Sequence, residues 1–374
     1  MKTAGKDKHT KGAAKSLGIK EIAKILGISI GTVDRALHDR PGIRPDTRQR
    51  IMETAANLGY RPNLAARFLK SGKGAAIAVC LPRHIFHFFN EIRSGIHHAA
   101  MPYGSMWKLY DYSYSRFEEG ETAIFQQALA QDVKGIIIAP GKVDTVKPLI
   151  AEAARRNVAV ACVTSDAPGT QRLVYVSVDP FANGALAGEF LCCLNRPLRR
   201  LAVFTNSLEL TTQAEKLRGF QESIRQGGFT NVVLDIVENH DSKKEAAHLA
   251  DQLFGRREEI DAVYVSTANA LPVLRAMERY GFLPGTPVIA TDIFPGLVDY
   301  IRSRKVLATI YQHPEFVGRI AFEALYRFIQ HGAVPPSQIM LPPLLVMRST
   351  LDVLLARIRS GTNAARELPG ISAM

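Results

Sequence analysis

Between residues 75 and 330, short apolar runs rich in β-branched residues alternate with amphipathic segments of helix length. This alternation predicts parallel sheets whose strands are joined by right-handed helical crossovers. The predicted strands are 75–81, 107–112, 135–139, 158–164, 174–178, 201–205, 232–237, 262–266, 288–291 and 307–311. The predicted helices are 91–100, 145–156, 182–194, 213–226, 243–254, 271–280 and 315–330. So many strands predict two α/β lobes rather than one open sheet, with a ligand cleft between the lobes.

The positive charge of the chain is concentrated at its N-terminal end. Residues 1–73 hold 16 lysines and arginines against 6 aspartates and glutamates, whereas the whole chain has a formal net charge of +12. A basic segment of domain size on a near-neutral body is typical of a module that binds a polyanion. Residues 1–17 show no apolar periodicity, and we predict a disordered basic tail there.

Several classes of protein are excluded by composition. The apolar fraction of 47% is too high for a mainly disordered or fibrous chain. No apolar run approaches the roughly 18 residues of a membrane span, and no apolar stretch follows the lysine-rich start. The four cysteines lack the spacing of a metal site. We therefore predict a cytoplasmic, multidomain protein with no metal and no cofactor.

Residues 18–61 have the pattern of a small three-helix domain that binds DNA. A first helix over 19–26 ends at Gly27, and Ser29 is placed to cap a second helix over 30–37. A third helix over 45–58 begins at a proline. Two short helices joined through a tight turn that contains glycine indicate a helix-turn-helix.

The second helix has one apolar face and one polar face. The apolar face consists of Val33, Ala36 and Leu37, and the opposite face carries Gly31, Asp34, Arg35 and His38. In a major groove, Arg35 is suited to guanine, while Ser29 and Thr32 are suited to phosphates near the helix N-terminus. The alternative for this helix taken alone is an ordinary solvated face.

The segment 62–73 is predicted to join this head to the body. Asn63 is placed to cap a helix of about seven residues, which is too short to be stable alone in water. The segment is therefore either an inert linker or a hinge helix that folds only on its partner.

Polar and aromatic residues follow several predicted strands of the body. The candidates for ligand contact are Phe88, Phe89, Thr164, Asp166, Asn269, Asp292 and Gln312. Aromatic rings can cover the C–H faces of a sugar, while carboxylates and amides bind its hydroxyls. Each residue taken singly has the alternative role of helix cap or packing residue. No catalytic motif is present, so we predict a binding protein rather than an enzyme.

Three runs of residues in the head resemble one known family. The first-helix pattern is Ile22-Ala23 followed by Leu26-Gly27-Ile28-Ser29, and the core of the second helix is Thr32-Val33-Asp34-Arg35. The third run is Gly59-Tyr60-Arg61-Pro62-Asn63-Leu64-Ala65-Ala66-Arg67-Phe68-Leu69. Together they resemble the DNA-binding head and hinge of the LacI/GalR family of bacterial repressors. The resemblance implies that Ile30 and Gly31 discriminate operators, that Asn63 and Ala66 belong to the hinge helix, and that Leu69 wedges into the minor groove.

The body resembles the periplasmic sugar-binding-protein fold that serves as the effector domain of the same family. The resemblance implies ligand contacts from Phe88-Phe89, Asn269, Asp292 and the run Ala308-Thr309-Ile310-Tyr311-Gln312. Lys216 stands where that family places a ligand-binding arginine, and Thr164 stands where aspartate is common. A lone ammonium cannot reproduce the bidentate geometry of arginine, which favours an unusual effector.

The predicted architecture is thus a small all-α helix-turn-helix head, a hinge helix, and an α/β two-lobed periplasmic-binding-protein-like domain with parallel sheets. Its predicted segments are 1–17, 18–61, 62–73, 74–352 and a C-terminal tail, 353–374. We expect a transcriptional repressor that binds double-stranded DNA as a homodimer, because two heads on a dyad read a palindromic operator. A sugar or sugar derivative is the expected effector. The alternative is a sugar-binding receptor without a gene-regulatory role.

Overall fold

The structure, a computed structural model, describes residues 19–37, 42–58, 75–117 and 119–360. The chain forms two compact units, a head within residues 1–72 and a body that begins at residue 73. The predicted tail 1–17 and hinge 62–73 lie outside the described residues. So do four of the nominated DNA-binding residues, namely His38, Asn63, Ala66 and Leu69.

The head contains the three predicted helices, α1 (Ile19–Leu26), α2 (Ile30–Leu37) and α3 (Pro45–Asn57). Their shared interior consists of Ile22, Ala23, Val33, Ala36, Ile51 and Ala55. Gly27 adopts a φ of +63°, which only glycine tolerates without strain, and this left-handed turn redirects the chain from α1 to α2. The helical spacing of apolar residues therefore predicted the head correctly.

The body contains two six-stranded sheets. Its strands are β1 (Ala75–Pro82), β2 (Trp107–Tyr114), β3 (Gly135–Ile138), β4 (Ala159–Val163), β5 (Val174–Val178), β6 (Arg200–Thr205), β7 (Val233–Glu238), β8 (Ala262–Val265), β9 (Val288–Thr291), β10 (Ala308–Tyr311), β11 (Gln338–Leu341) and β12 (Leu344–Met347). The N-lobe sheet has the order β11-β5-β4-β3-β1-β2, and the C-lobe sheet has the order β12-β10-β9-β8-β6-β7. All pairings are parallel except that of β12 with β10.

The helices of the body pack on the faces of these sheets. They are α4 (Phe86–Ala100), α5 (Glu121–Leu129), α6 (Val143–Arg155), α7 (Pro180–Cys192), α8 (Thr211–Gln226), α9 (Lys243–Gly255), α10 (Ala270–Arg279), α11 (Pro295–Arg302), α12 (Pro314–His331) and α13 (Arg348–Ser360). A short 3₁₀ helix, Met101–Met106, follows α4. The chain passes between the two sheets three times: between β5 and β6, between β10 and β11, and between β11 and β12. The two lobes are therefore joined by three crossing segments.

Besides the 3₁₀ helix, five elements of the body were not predicted from the sequence: α5, α11, α13, β11 and β12. The two strands span only four residues each, less than a typical strand, and they occupy sheet edges. The predicted tail 353–374 begins inside α13. In that helix Leu351 is fully buried, and Leu354, Leu355 and Ile358 pack against the C-lobe core. The body therefore extends at least to Ser360.

Candidate functional site

In the head, the outward face of α2 carries the nominated DNA-binding side chains. Ser29, Ile30, Gly31 and Arg35 are exposed, while Thr32 and Asp34 are half-buried. The Ser29 Oγ accepts a hydrogen bond from the Thr32 backbone N–H at 3.1 Å, which caps the helix as expected. The Arg35 Nε donates to the Gly31 carbonyl at 3.2 Å, and the side chain stays on the exposed face. Their contact with DNA stays a prediction.

In the body, residues at the carboxyl ends of both sheets surround a small cavity of about 70 Å³, which we call the inner chamber. Six of the eight nominated effector residues line it, namely Phe88, Phe89, Thr164, Lys216, Asp292 and Gln312. A single water needs about 10–15 Å³, so the chamber holds only a few water-sized groups in this conformation. All of these six except Lys216 were nominated because they follow predicted strands. Selecting the polar and aromatic residues that follow strands, which we call the strand-end rule, therefore identified side chains that line one cavity.

The buried Asp292 and the half-buried Gln312 form a hydrogen-bonded pair that lines the inner chamber. The Gln312 Nε2 donates to Asp292 Oδ2 at 2.8 Å, and the Gln312 backbone N–H donates to Oδ1 at 3.3 Å. Burial raises the pKa of the Asp292 carboxyl to about 6, although the nearby Lys216 ammonium opposes this rise. At neutral pH the chamber thus contains a largely ionised carboxylate that can accept hydrogen bonds from ligand hydroxyls.

Lys216 supplies a buried cation in the same chamber. Its side chain is 6% exposed, and its Nζ donates to the Ser266 carbonyl at 3.2 Å. Burial lowers the pKa of this ammonium, while Asp292 and Asp241 raise it. An ammonium has three donors, so Lys216 retains donor capacity for a ligand.

A close crossing of α7 and α8 places Lys216. A Cβ atom on Gly184 would lie 1.7 Å from the Lys216 carbonyl oxygen, and one on Gly219 would lie 2.0 Å from the Phe181 carbonyl oxygen. Such distances are far inside van der Waals contact, so only glycine allows the two helices to approach this closely. The crossing therefore fixes the backbone from which Lys216 enters the chamber.

We expect the Gly184→Ala variant to be destabilised by about 3 kcal/mol, because the added methyl group forces α7 and α8 apart. Chemical denaturation of the full chain measures this difference. Gly285→Ala is the matched control, because a Cβ there meets no atom closer than 3.7 Å. Equal unfolding free energies for both variants would contradict the assigned helix crossing.

Aromatic side chains form the apolar wall of the inner chamber. The rings of Phe88 and Phe89 lie 5.3 Å apart at 85°, and Phe117 contacts Phe89 at a centroid distance of 6.0 Å. The two phenylalanines of the pair lie in the first turn of α4 rather than in the predicted loop before it, because the helix begins at Phe86. Edge-to-face packing keeps these rings fixed at the chamber surface.

Backbone strain marks two of the nominated residues. Thr164 has a φ of +63° and Asp292 has a φ of +64°, and both values lie in the left-handed region. This conformation is costly for a non-glycine residue, and especially for a β-branched one such as threonine. The surrounding hydrogen bonds hold it: Tyr175 and Ser177 donate to the Thr164 carbonyl, and Thr309 donates to the Asp292 carbonyl. Strain of this kind clusters at ligand-binding sites.

Two nominated residues do not line the inner chamber. Asp166 accepts two hydrogen bonds from the Arg172 guanidinium and is committed to that ion pair. The position of Asp166 after β4 gives no indication of this pair. Asn269 lines a second cavity of about 630 Å³, the outer chamber, which shares Ile85, Phe88, Ala268 and Asp292 with the inner one.

Several lining residues of the inner chamber were not predicted from the sequence, among them Phe117, Gln213 and Asp241. Asp241 follows β7, so the strand-end rule could have found it. Its Oδ2 accepts from the Asn206 Nδ2 at 2.6 Å and lies 3.4 Å from the His84 Nε2 of the opposite lobe. Gln213 accepts from Thr205 and Ser266, each at 3.1 Å, and no local pattern indicates this contact.

The described part of the chain contains no group of three or more histidine, cysteine or acidic residues arranged to hold a metal ion. Within the same ranges, no helix combines the length and the apolar character needed to cross a membrane.

Comparison with known proteins shows that the head and the body each match a known protein family. Residues 18–63 match the bacterial regulatory proteins of the lacI family, and residues 77–333 match the periplasmic binding protein domain. The chain belongs to the LacI family of bacterial regulators. The regulators that it resembles include catabolite control protein A of Priestia megaterium, with 24% identity over 87% of this chain and 96% of that protein.

Further similarities cover both the whole chain and the body of this LacI-family protein. The ribose operon repressor of Bacillus subtilis strain 168 is 26% identical over 89% of this chain and 98% of the repressor. Among solved structures, a glucose-galactose binding protein from Geobacillus stearothermophilus is 25% identical, with a TM-score of 0.68. That match covers 75% of this chain and 99% of the binding protein. These relatives are regulators and sugar-binding proteins rather than enzymes.

Proposed function

We propose that this protein is a cytoplasmic transcriptional repressor whose homodimer binds a palindromic operator through α2. Its DNA affinity is set by a small polyhydroxylated effector, a sugar or sugar derivative, held between the lobes. The observation that carries the proposal is the convergence of Asp292, Gln312 and Lys216 opposite an aromatic wall, in a chain whose head exposes Arg35 on α2.

The chemistry of the inner chamber supports a polyhydroxylated ligand. An ionised Asp292 accepts hydrogen bonds from hydroxyls, Gln312 and Lys216 offer further polar atoms, and Phe88 covers apolar ring faces. The names of the relatives support the same class, since they include a ribose operon repressor and a glucose-galactose binding protein.

Contacts across the cleft suggest how binding of a ligand is coupled to binding of DNA. The His84–Asp241 contact and the Lys142–Glu209 ion pair, at 2.9 Å, join the N lobe to the C lobe. An effector that favours one arrangement of the lobes changes DNA affinity only by its differential affinity for the two arrangements. We propose that segment 62–73 transmits this change to the head.

The test begins with a thermal-shift screen of sugars and polyols on the full chain, with nucleobases as a comparison class. Each compound that stabilises the body is then added to operator DNA selected from a random pool, and the Kd for DNA is measured by fluorescence anisotropy. A repressor should show an operator with dyad symmetry, a stoichiometry of two chains per operator, and a Kd that changes with the effector.

The competing proposal is a sugar-binding receptor without a gene-regulatory role, which the sugar-binding neighbours of the body favour. It predicts that sugars bind while no DNA sequence is preferred over any other. A chain that selects an operator but binds no sugar or polyol would contradict the effector part of our proposal alone.

A further inference from the structure

The outer chamber carries a group of basic side chains that the proposed binding of a neutral sugar does not use. The exposed side chains of Lys243, Lys244 and Arg275 line it, and within the described residues none of the three side chains donates a hydrogen bond or forms an ion pair. A fourth lining cation, Arg279, is engaged by Asp251 at 2.5 Å. Three cations without an ion-pair partner thus line one cavity.

Two of these cations occupy positions that do not favour their own helix. Lys243 and Lys244 are the first two residues of α9, where the partial positive charge of the helix N-terminus disfavours a cation. The helix is capped without them, because the Ser242 side chain accepts from the Glu245 backbone N–H at 3.2 Å. Both side chains are exposed, and helix stability does not account for their location.

Three further helices begin at the outer chamber without a side-chain cap. The residues at their N-caps are Ile85 for α4, Asn269 for α10 and Phe294 for α11, and none makes a capping hydrogen bond. All three residues line the cavity. Uncapped first turns leave backbone N–H groups available, and such groups bind anions.

A buried side chain in the same cavity also lacks a partner. Asn269 is 6% exposed, and its Nδ2 has no hydrogen-bond partner. A buried amide donor left unsatisfied is costly, so a ligand acceptor at this position is favoured. This side-chain donor is independent of the lysines and of the backbone N–H groups, and it suits an oxygen acceptor of a ligand.

Two carboxyl groups also border the chamber. Asp292 lies on the wall shared with the inner chamber, and Glu91 accepts a hydrogen bond from the Tyr311 hydroxyl at 3.2 Å. Burial, with a smaller contribution from Asp292, raises the pKa of Glu91 to about 7, so this group is partly protonated at neutral pH. The acidic groups therefore suit the hydroxylated part of a ligand, while the cations suit a charged part.

We propose that the outer chamber binds the anionic group of the effector, so that the effector is a phosphorylated or carboxylated sugar rather than a neutral one. This proposal rests on the proposed function and specifies its ligand class. The hydroxylated part lies against Asp292 and Gln312, and the anionic group lies among Lys243, Lys244, Arg275 and the Asn269 amide.

The test compares the full-length wild type with a Lys243→Gln/Lys244→Gln/Arg275→Gln variant. The charge-matched control, Lys147→Gln/Arg256→Gln/Arg304→Gln, removes three exposed cations that do not line either chamber. Calorimetric titrations use neutral sugars beside their phosphate esters and their sugar acids, which distinguishes phosphate from carboxylate. We expect the wild type and the control to bind one anionic class about tenfold more tightly than the neutral parent, and the chamber variant to lose this preference.

A second measurement does not require the correct sugar. Thermal unfolding in sodium phosphate is compared with unfolding in sodium chloride at equal ionic strength. We expect phosphate to stabilise the body of the wild type and of the control more than that of the chamber variant. Equal stabilisation of all three proteins, or a persisting anion preference in the chamber variant, would overturn the proposal. Neutral sugars that bind as tightly as their anionic derivatives would overturn it while leaving the proposed function intact. A failure of every sugar to bind would refute it together with the effector part of the proposed function.

Discussion

The Asp292→Asn variant is expected to lose its response to the effector while becoming more stable without ligand at pH 7.5. Asparagine keeps the size of the side chain and a carbonyl oxygen for Gln312, but it removes the charge that receives ligand hydroxyls. The charged carboxylate is buried at a cost, because its folded-state pKa of about 6 exceeds the ordinary value of 3.8. One pKa unit corresponds to about 1.4 kcal/mol, so the gain in unfolding free energy is about 3 kcal/mol at most.

The pH dependence of this gain has a definite sign. A group whose pKa is raised on folding favours the folded state below its unfolded-state value, and that contribution is lost as the pH rises through the folded-state value. The wild type and Asp292→Asn should therefore have similar stabilities near pH 4. The stability advantage of the variant should grow between pH 4 and about pH 6 and stay constant above it.

Chemical denaturation at several pH values measures the stability difference, and the anisotropy assay measures the response to the effector. Asp299→Asn is the control, because that aspartate is exposed on α11 and lines neither chamber. A normal effector response in Asp292→Asn would remove Asp292 from the ligand site. A stability difference that is equal at pH 4 and pH 7.5 would contradict the raised pKa.

The Arg35→Ala variant should bind its operator about 10- to 100-fold more weakly and discriminate less between operator and unrelated DNA. The guanidinium lies on the exposed face of α2, and a bidentate contact with guanine contributes about 1–3 kcal/mol of discrimination. Binding of the effector should not change, because Arg35 belongs to the head.

Competition between operator and scrambled DNA measures both effects. Arg50→Ala removes an equal charge from the exposed surface of α3 and serves as the control. This control is expected to weaken binding to all sequences alike, as phosphate contacts carry no sequence information. If the Arg35→Ala variant keeps full operator selectivity, Arg35 does not contact the bases, and the assignment of α2 as the recognition helix through this residue is wrong.

The candidate site was predictable where it follows from position along a strand. Asp292 and Gln312 each come directly after a strand of a parallel sheet, and the carboxyl ends of such strands meet at one edge. The same reasoning failed for Asp166, which also follows a strand but is held by Arg172. Asn269 has the expected strand-end position, yet it lines the outer rather than the inner chamber. The position of a residue after a parallel strand predicts the sheet edge on which its side chain lies. The hydrogen-bond partners of that side chain decide whether it is available to a ligand.

The succession of strands and helices along the chain and the three-helix head were predictable from periodicity within a few residues, because burial of one face imposes a local pattern. The family resemblance was likewise evident from short motifs in the sequence. Short edge elements such as β11 and β12 escaped this pattern, since their burial depends on neighbours far along the chain. Only the tertiary structure decided which polar groups meet, including the Asp292–Gln312 pair and the contact between His84 and Asp241 across the lobes. It also decided the close approach of α7 and α8 that places Lys216, and the gathering of Lys243, Lys244 and Arg275 around one cavity. Such contacts join residues that are distant in sequence, and no local pattern encodes the distance between them.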